Sequence, residues 1–210
     1  MVMMYPSANS KPANPGPPSG GNWFFGLAMS DEVRSALVRA QEMLRSAADA
    51  AGARCAWVHP EDFHITVVFI GPWRAERAEE LARAARAAAA RGAPFDVQVG
   101  GVGFFGPPRS PRVLWAGVDT PPALAGIRAN CLEALAASGI TPDRQPYRPH
   151  VTLARVRSRP REPSLTDALQ RHQNVRFGFV SVRDLRVMRG VPNARGPRYR
   201  TEWMAPFSGE

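Results

Sequence analysis

His64-Ile65-Thr66-Val67 and His150-Val151-Thr152-Leu153 are the same four-residue pattern, each set inside an apolar run. In a strand, residues i and i+2 share a face. His64 therefore points with Thr66, and His150 with Thr152. Ile65, Val67, Val151 and Leu153 turn to the opposite, buried side. Each run follows a helical stretch and a loop containing proline, Pro60 or Pro149. The chain reads as two related halves, and a pseudo-twofold axis between them would bring both His/Thr pairs to one cleft.

Working outward, residues 1–22 are rich in Pro, Gly, Ser and Asn, with little to bury, and are expected to form a disordered extension. A single domain is expected over 23–210, opening with the apolar strand Trp23–Met29. Ser30 with Asp31 and Glu32 starts a helix whose apolar stripe is Val33, Leu37, Ala40 and Leu44. Strands are expected at Cys55–Val58 and Phe63–Ile70, the second stopped by Gly71-Pro72. A helix at 74–91 follows, then strands at Phe95–Val99 and Val113–Val118. The next helix, Pro122–Ala137, carries Leu124, Ile127, Cys131 and Leu135 on one face. A proline-rich loop leads to the strand His150–Val156. A short helix at Leu165–Gln170 and closing strands at 177–188 and 199–204 complete the chain. Strands alternating with helices in this way indicate an α/β or α+β fold.

Composition narrows the class. A hydrophobic share of 44% suffices for a globular interior, and no apolar run nears the roughly 20 residues that span a bilayer. No signal peptide is evident, so a soluble cytoplasmic protein without a membrane partner is expected, as is a monomer. The net charge of +9 is almost wholly arginine, Lys11 being the only lysine. Such an excess draws polyanions, although a GC-rich coding genome would produce the same arginine and alanine bias. Cys55 and Cys131 stand far apart with no Cys-x-x-Cys partner, so neither a zinc site nor a disulfide framework is expected.

Two imidazoles and two hydroxyls on one cleft suit displacement at phosphorus. The incoming oxygen needs a base and the leaving oxygen an acid, and histidine fills either role near neutral pH. The threonine hydroxyls would hold non-bridging oxygens. A strained five-membered cyclic phosphate fits best, because it can be opened without a metal or another cofactor. A single His-x-Thr-x is uninformative; two copies in matching contexts, using two of only four histidines, are not. His59 and His172 lie in a loop and beside a helix end, outside the pattern.

With these motifs the chain resembles the two-histidine phosphoesterase superfamily, and within it the RNA 2′,3′-cyclic phosphodiesterases, also called 2′-5′ RNA ligases. The segments that carry the likeness are 23–28 (Trp-Phe-Phe-Gly-Leu-Ala), 60–71 (Pro-Glu-Asp-Phe-His-Ile-Thr-Val-Val-Phe-Ile-Gly), 111–118 (Pro-Arg-Val-Leu-Trp-Ala-Gly-Val) and 148–155 (Arg-Pro-His-Val-Thr-Leu-Ala-Arg). The resemblance implies an α+β, bilobal, pseudo-symmetric fold: two small antiparallel sheets facing a central cleft, with helices outside. It implies His64 as proton donor to the leaving 3′ oxygen and His150 as the base activating water, leaving a 2′-phosphate. Arg155 would contact phosphate, and Phe69 would pack near base or ribose, although its strand parity is opposite to His64. Arg109, Arg112 and Arg148 flank the cleft-forming segments, as RNA-steering groups or as solvated surface. The implied partner is an RNA end bearing a cyclic phosphate. Ligation to a 5′-hydroxyl and a non-catalytic RNA-binding module are the alternatives, and the second predicts loss of a His or Thr that is present here. Asn22-Trp23 and Met188-Arg189 depart from the family pattern, at places where relatives often carry arginine and serine.

Overall fold

The computed structural model describes residues 21–143, 146–158, 160, 164–191 and 198–208. All but the last two positions of the expected extension lie outside the described residues, and the first strand begins at Asn22. The elements run β1 (Asn22–Ala28), α1 (Asp31–Ala50), β2 (Cys55–Trp57), β3 (His64–Pro72), α2 (Ala78–Ala89), β4 (Phe95–Phe105), β5 (Val113–Val118), α3 (Pro122–Ala137), β6 (His150–Val156), α4 (Ser164–Arg171), β7 (Arg176–Val182), β8 (Asp184–Val191) and β9 (Arg198–Pro206). Local chemistry accounts for the helix starts. The Ser30 hydroxyl accepts the Val33 N–H, and Asp31 and Glu32 face the positive end of α1. Pro122 begins α3, where its missing N–H removes no helical bond.

The strands form one sheet in the order β7-β4-β5-β6-β3-β1-β8-β9, with β2 beside β6. With β2 set aside, it consists of two four-stranded antiparallel halves, β6-β5-β4-β7 and β3-β1-β8-β9, joined among the described residues by the antiparallel pair Ile65↔Val151. The two small sheets implied by the resemblance are thus both present, but as halves of one ladder. The first half carries α1 and α4; the second carries α2 and α3. One apolar cluster runs through both, from Trp23 and Leu27 to Leu114 and Leu153.

Three boundaries differ from the sequence reading, and the first is that β3 runs through Gly71 to Pro72, paired with β1, instead of stopping at Ile70. The closing run 177–188 is two strands, β7 and β8, on opposite halves of the sheet, broken at Arg183 with no Gly or Pro to signal it. β4 does not stop at Val99 but continues through a glycine-rich stretch to Phe105. There Gly101 adopts φ +66°, which only glycine takes without strain. A Cβ on Gly103 would lie 2.4 Å from the Trp115 ring, so the missing side chain makes room for that indole.

Candidate active site: two histidines at the seam of the sheet

The local twofold axis passes through the Ile65↔Val151 pair. Antiparallel register then sets His64 opposite Thr152 and Thr66 opposite His150, all four on the face turned away from Ile65 and Val151. The two motifs expected to meet are brought together by the one ladder pair that joins the halves among the described residues.

Each imidazole is held the same way. Nδ1 of His64 lies 2.7 Å from the Asp62 carbonyl oxygen, and Nδ1 of His150 lies 2.7 Å from the Arg148 carbonyl oxygen. A carbonyl oxygen only accepts, so Nδ1 carries the hydrogen in both rings and Nε2 is the atom left for chemistry. Each ring also meets the edge of an aromatic side chain. Tyr199 meets His64 at 4.7 Å, and Phe105 meets His150 at 4.9 Å. Phe24 stacks on the other side of His64 at 4.7 Å.

These surroundings set the charge. Burial lowers His64 from 6.5 to about 4, against the hydrogen bond and negative charge of Asp62; His150 and Arg155 lower it further. Burial also lowers His150, opposed by the Arg148 carbonyl and assisted by Arg155. Arg155 therefore acts electrostatically on both rings. With no anion in the cleft both imidazoles are neutral at pH 7.

Arg155 and Phe69 reach the cleft by one device used twice. Along β3, Phe25 pairs with Val68 but Gly26 pairs with Thr66, so Val67 is an extra, bulged residue. Along β6, Leu114 pairs with Ala154 but Trp115 pairs with Thr152, so Leu153 is bulged. A bulge reverses the alternation. Phe69, five residues after His64, and Arg155, five after His150, are both exposed and return to the histidine face. The opposite parity expected for Phe69 is corrected by the Val67 bulge. Each bulged carbonyl is held by a helix behind it. Arg128 of α3 donates to the Val67 oxygen at 3.0 Å, and Gln41 of α1 donates to the Leu153 oxygen at 2.8 Å.

Two hollows lie beside the motif strands β3 and β6. The first, about 350 Å³, includes Thr66, Phe69, Phe105, Tyr147, Arg148 and His150 in its lining. Its wall is tied down where the Phe69 carbonyl accepts the Asp143 N–H, and Arg128 lies 4.3 Å over the Tyr147 ring. The second, about 540 Å³, starts at Arg155 and Tyr199. Arg109 and Arg112 are exposed but line neither hollow. The Nδ1 of His59 caps the turn at Pro60, and that of His172 bonds the Ala168 carbonyl of α4.

Sequence reasoning missed Asp62, Tyr199, Phe24 and Phe105. Asp62 is only 2% exposed; its carboxylate accepts the Tyr199 N–H at 3.1 Å and pairs with Arg198 at 2.6 Å. It ties β9 to the turn that positions His64. Its place two residues before His64 was visible, but its partners are remote in sequence. Among the described residues no group of three or more His, Cys, Asp or Glu is placed to hold a metal, and no helix is long and apolar enough to cross a membrane.

A split antiparallel sheet with a histidine and a threonine from each half at the seam defines a two-motif phosphoesterase architecture. The chain belongs to the 2′-5′ RNA ligase superfamily, whose family model matches residues 27–190. It is 34% identical over 159 residues to a protein of Aeropyrum pernix named RNA 2′,3′-cyclic phosphodiesterase, covering 75% of this chain and 89% of that protein. A Geobacillus stearothermophilus protein of the same name is 34% identical over 134 residues, and the match spans 64% of this chain but only 41% of that relative's length. Among solved structures, a Thermus thermophilus protein superposes with a TM-score of 0.71 at 27% identity, over 90% of this chain and 99% of that one. Escherichia coli LigT complexed with 3′-AMP, at 20% identity and a TM-score of 0.66 over 90% of this chain and 99% of that one, shares the fold.

Proposed function

We propose that this chain hydrolyses RNA 2′,3′-cyclic phosphate ends to 2′-phosphates, with His64 as general acid and His150 as general base. The observation that carries the reading is the matched pair of imidazoles, each tethered through Nδ1 to the carbonyl two residues before it, with Nε2 left for the substrate. Relatives named RNA 2′,3′-cyclic phosphodiesterase support the same substrate. Water attacks phosphorus in line with the 3′ oxygen and gives its proton to Nε2 of His150. The P–O3′ bond breaks as Nε2–H of His64 protonates the departing oxygen, leaving a 3′-hydroxyl and a 2′-phosphate. Thr66 and Thr152 donate to the non-bridging oxygens, Arg155 balances their charge, and Phe69 packs against base or ribose. The imidazoles handle both protons, so the reaction takes neither a metal nor a nucleotide cofactor. The four motif side chains come from one chain, which suits a monomer.

The test is turnover of an RNA ending in a 2′,3′-cyclic phosphate, in EDTA and without ATP. The expected product is the 2′-phosphate, with His64→Ala and His150→Ala each slower by about 10²–10⁴-fold. Wild-type protein that binds this RNA without turning it over would sink the hydrolase reading. A joined product in the presence of a 5′-hydroxyl RNA would replace hydrolysis with ligation.

A further inference from the structure

The pseudo-twofold axis exchanges His64 with His150, Phe69 with Arg155, and the Tyr199 edge contact with that of Phe105. It also exchanges the two hollows, and there the likeness ends. The hollow at His150 is walled by Phe69, Phe105 and Tyr147, with two arginines, Arg128 lying over the Tyr147 ring and Arg148, and with Asp143 beside them. The hollow at Arg155 is walled by Arg45, Trp57, Arg155, Arg157 and Arg198. Two carboxylates face these four guanidinium groups: Glu42, exposed, and Asp62, almost wholly buried and already paired with Arg198. No carboxylate pairs with Arg155 or Arg157 among the described residues. Arg45 lies 4.8 Å over the Trp57 ring, making a flat cationic platform. β2 sets this wall: it pairs with β6 where β3 has diverged, so Trp57 stands beside Ala154 and Ala56 beside Arg155.

Guanidinium forks match phosphate oxygens, and an arginine-backed indole is a stacking surface for a base of any identity. Only one direction of an RNA suits this layout. A cyclic-ended strand has no chain beyond its terminal phosphate, and the rest of it leaves through the 5′ oxygen of the last nucleoside. We infer that the arginine hollow is an upstream RNA subsite: it holds the phosphodiester 5′ to the terminal nucleoside and stacks the preceding base, while the aromatic hollow takes the terminal base. The inference rests on the hydrolase reading above and makes the enzyme selective for oligonucleotides over mononucleotides.

The test compares kcat/KM for a mononucleoside 2′,3′-cyclic phosphate, a dinucleotide with the same cyclic end, and that dinucleotide with a neutral methylphosphonate linkage. Wild type is expected to favour the natural dinucleotide by about tenfold or more, the size of one charge-assisted phosphate contact. The methylphosphonate should fall towards the mononucleotide. Arg45→Ala combined with Arg157→Ala should erase most of the preference, mainly through KM. Arg83→Ala, which removes an exposed charge on α2 outside both hollows, should leave the preference intact. Equal kcat/KM for all three substrates, or a preference that survives the double substitution, overturns the subsite.

Binding of the uncyclised dinucleotide 2′-phosphate, followed by tryptophan emission, separates the two readings. If no cyclic phosphate is hydrolysed but this binding depends on Arg45 and Arg157, the subsite stands and the activity falls. Binding indifferent to both arginines overturns the subsite whatever the turnover.

Discussion

At His64, burial outweighs the carbonyl and the charge of Asp62, and the ring stays neutral down to about pH 4; His150 is shifted the same way. A base benefits from this, because it must be unprotonated to accept from water. An acid does not, and His64 must gain its proton in the cleft. A phosphate anion between the rings supplies the missing attraction, adding an opposite charge where Arg155 otherwise repels each imidazolium. The sign of the pH dependence follows. The profile of kcat/KM reports the free protein, where both groups titrate below 6.5, so its optimum lies on the acid side of 6.5. The profile of kcat reports the complex, where the anion raises both, so its alkaline limb moves to higher pH. Separate measurement of the two profiles checks this, and a kcat/KM optimum above pH 7 would contradict it.

At the scale of elements, the bulges at Val67 and Leu153 decide what lines the cleft. Each is buttressed from outside the sheet, and Gln41, though 5% exposed, donates to both the Val58 and Leu153 carbonyls at 2.8 Å. Gln41→Leu keeps the bulk and removes the donor. It leaves the Val58 carbonyl without that partner and should cost about 1–3 kcal/mol in urea unfolding. Because the bulge also aims Arg155, kcat/KM for a cyclic phosphate should fall more than the loss of folded protein explains. A variant as active and as stable as wild type would show that the bulge holds without its buttress. This device also marks where the sequence stopped being legible. His64, Thr66, His150 and Thr152 sit at the starts of β3 and β6, before either bulge, and simple alternation places them. Phe69 lies beyond the bulge, and the same alternation assigns it to the wrong face. A bulge is set by register with the neighbouring strand and by a helix donor distant in sequence, and neither leaves a local mark. The break at Arg183 is similar: no Gly or Pro marks it, and the pairing partners of β7 and β8 divide the two strands.

For the whole molecule, the question is whether two halves joined, among the described residues, by one ladder pair behave as two bodies. The chain path argues against it. β1 belongs to the second half, yet α1, which follows it, packs on the first; β5 belongs to the first half, and α3 after it packs on the second. Each half closes its core with a helix that the chain enters from a strand of the other half. The apolar cluster runs through the seam, with Ile65 and Val151 both fully buried in it. Unfolding should therefore be a single cooperative step. Trp23 and Trp203 stack at 6.2 Å in the second half, and Trp57 and Trp115 lie in the first, so tryptophan emission samples both. Its thermal midpoint should coincide with that from far-ultraviolet circular dichroism, and the calorimetric and van't Hoff enthalpies should agree. Ile65→Ala sharpens the test by opening a cavity at the seam. It should cost about 2–5 kcal/mol and shift both signals together. Two resolved transitions, or a shift in one probe alone, would mean that the halves fold separately and that the catalytic pair is assembled by docking.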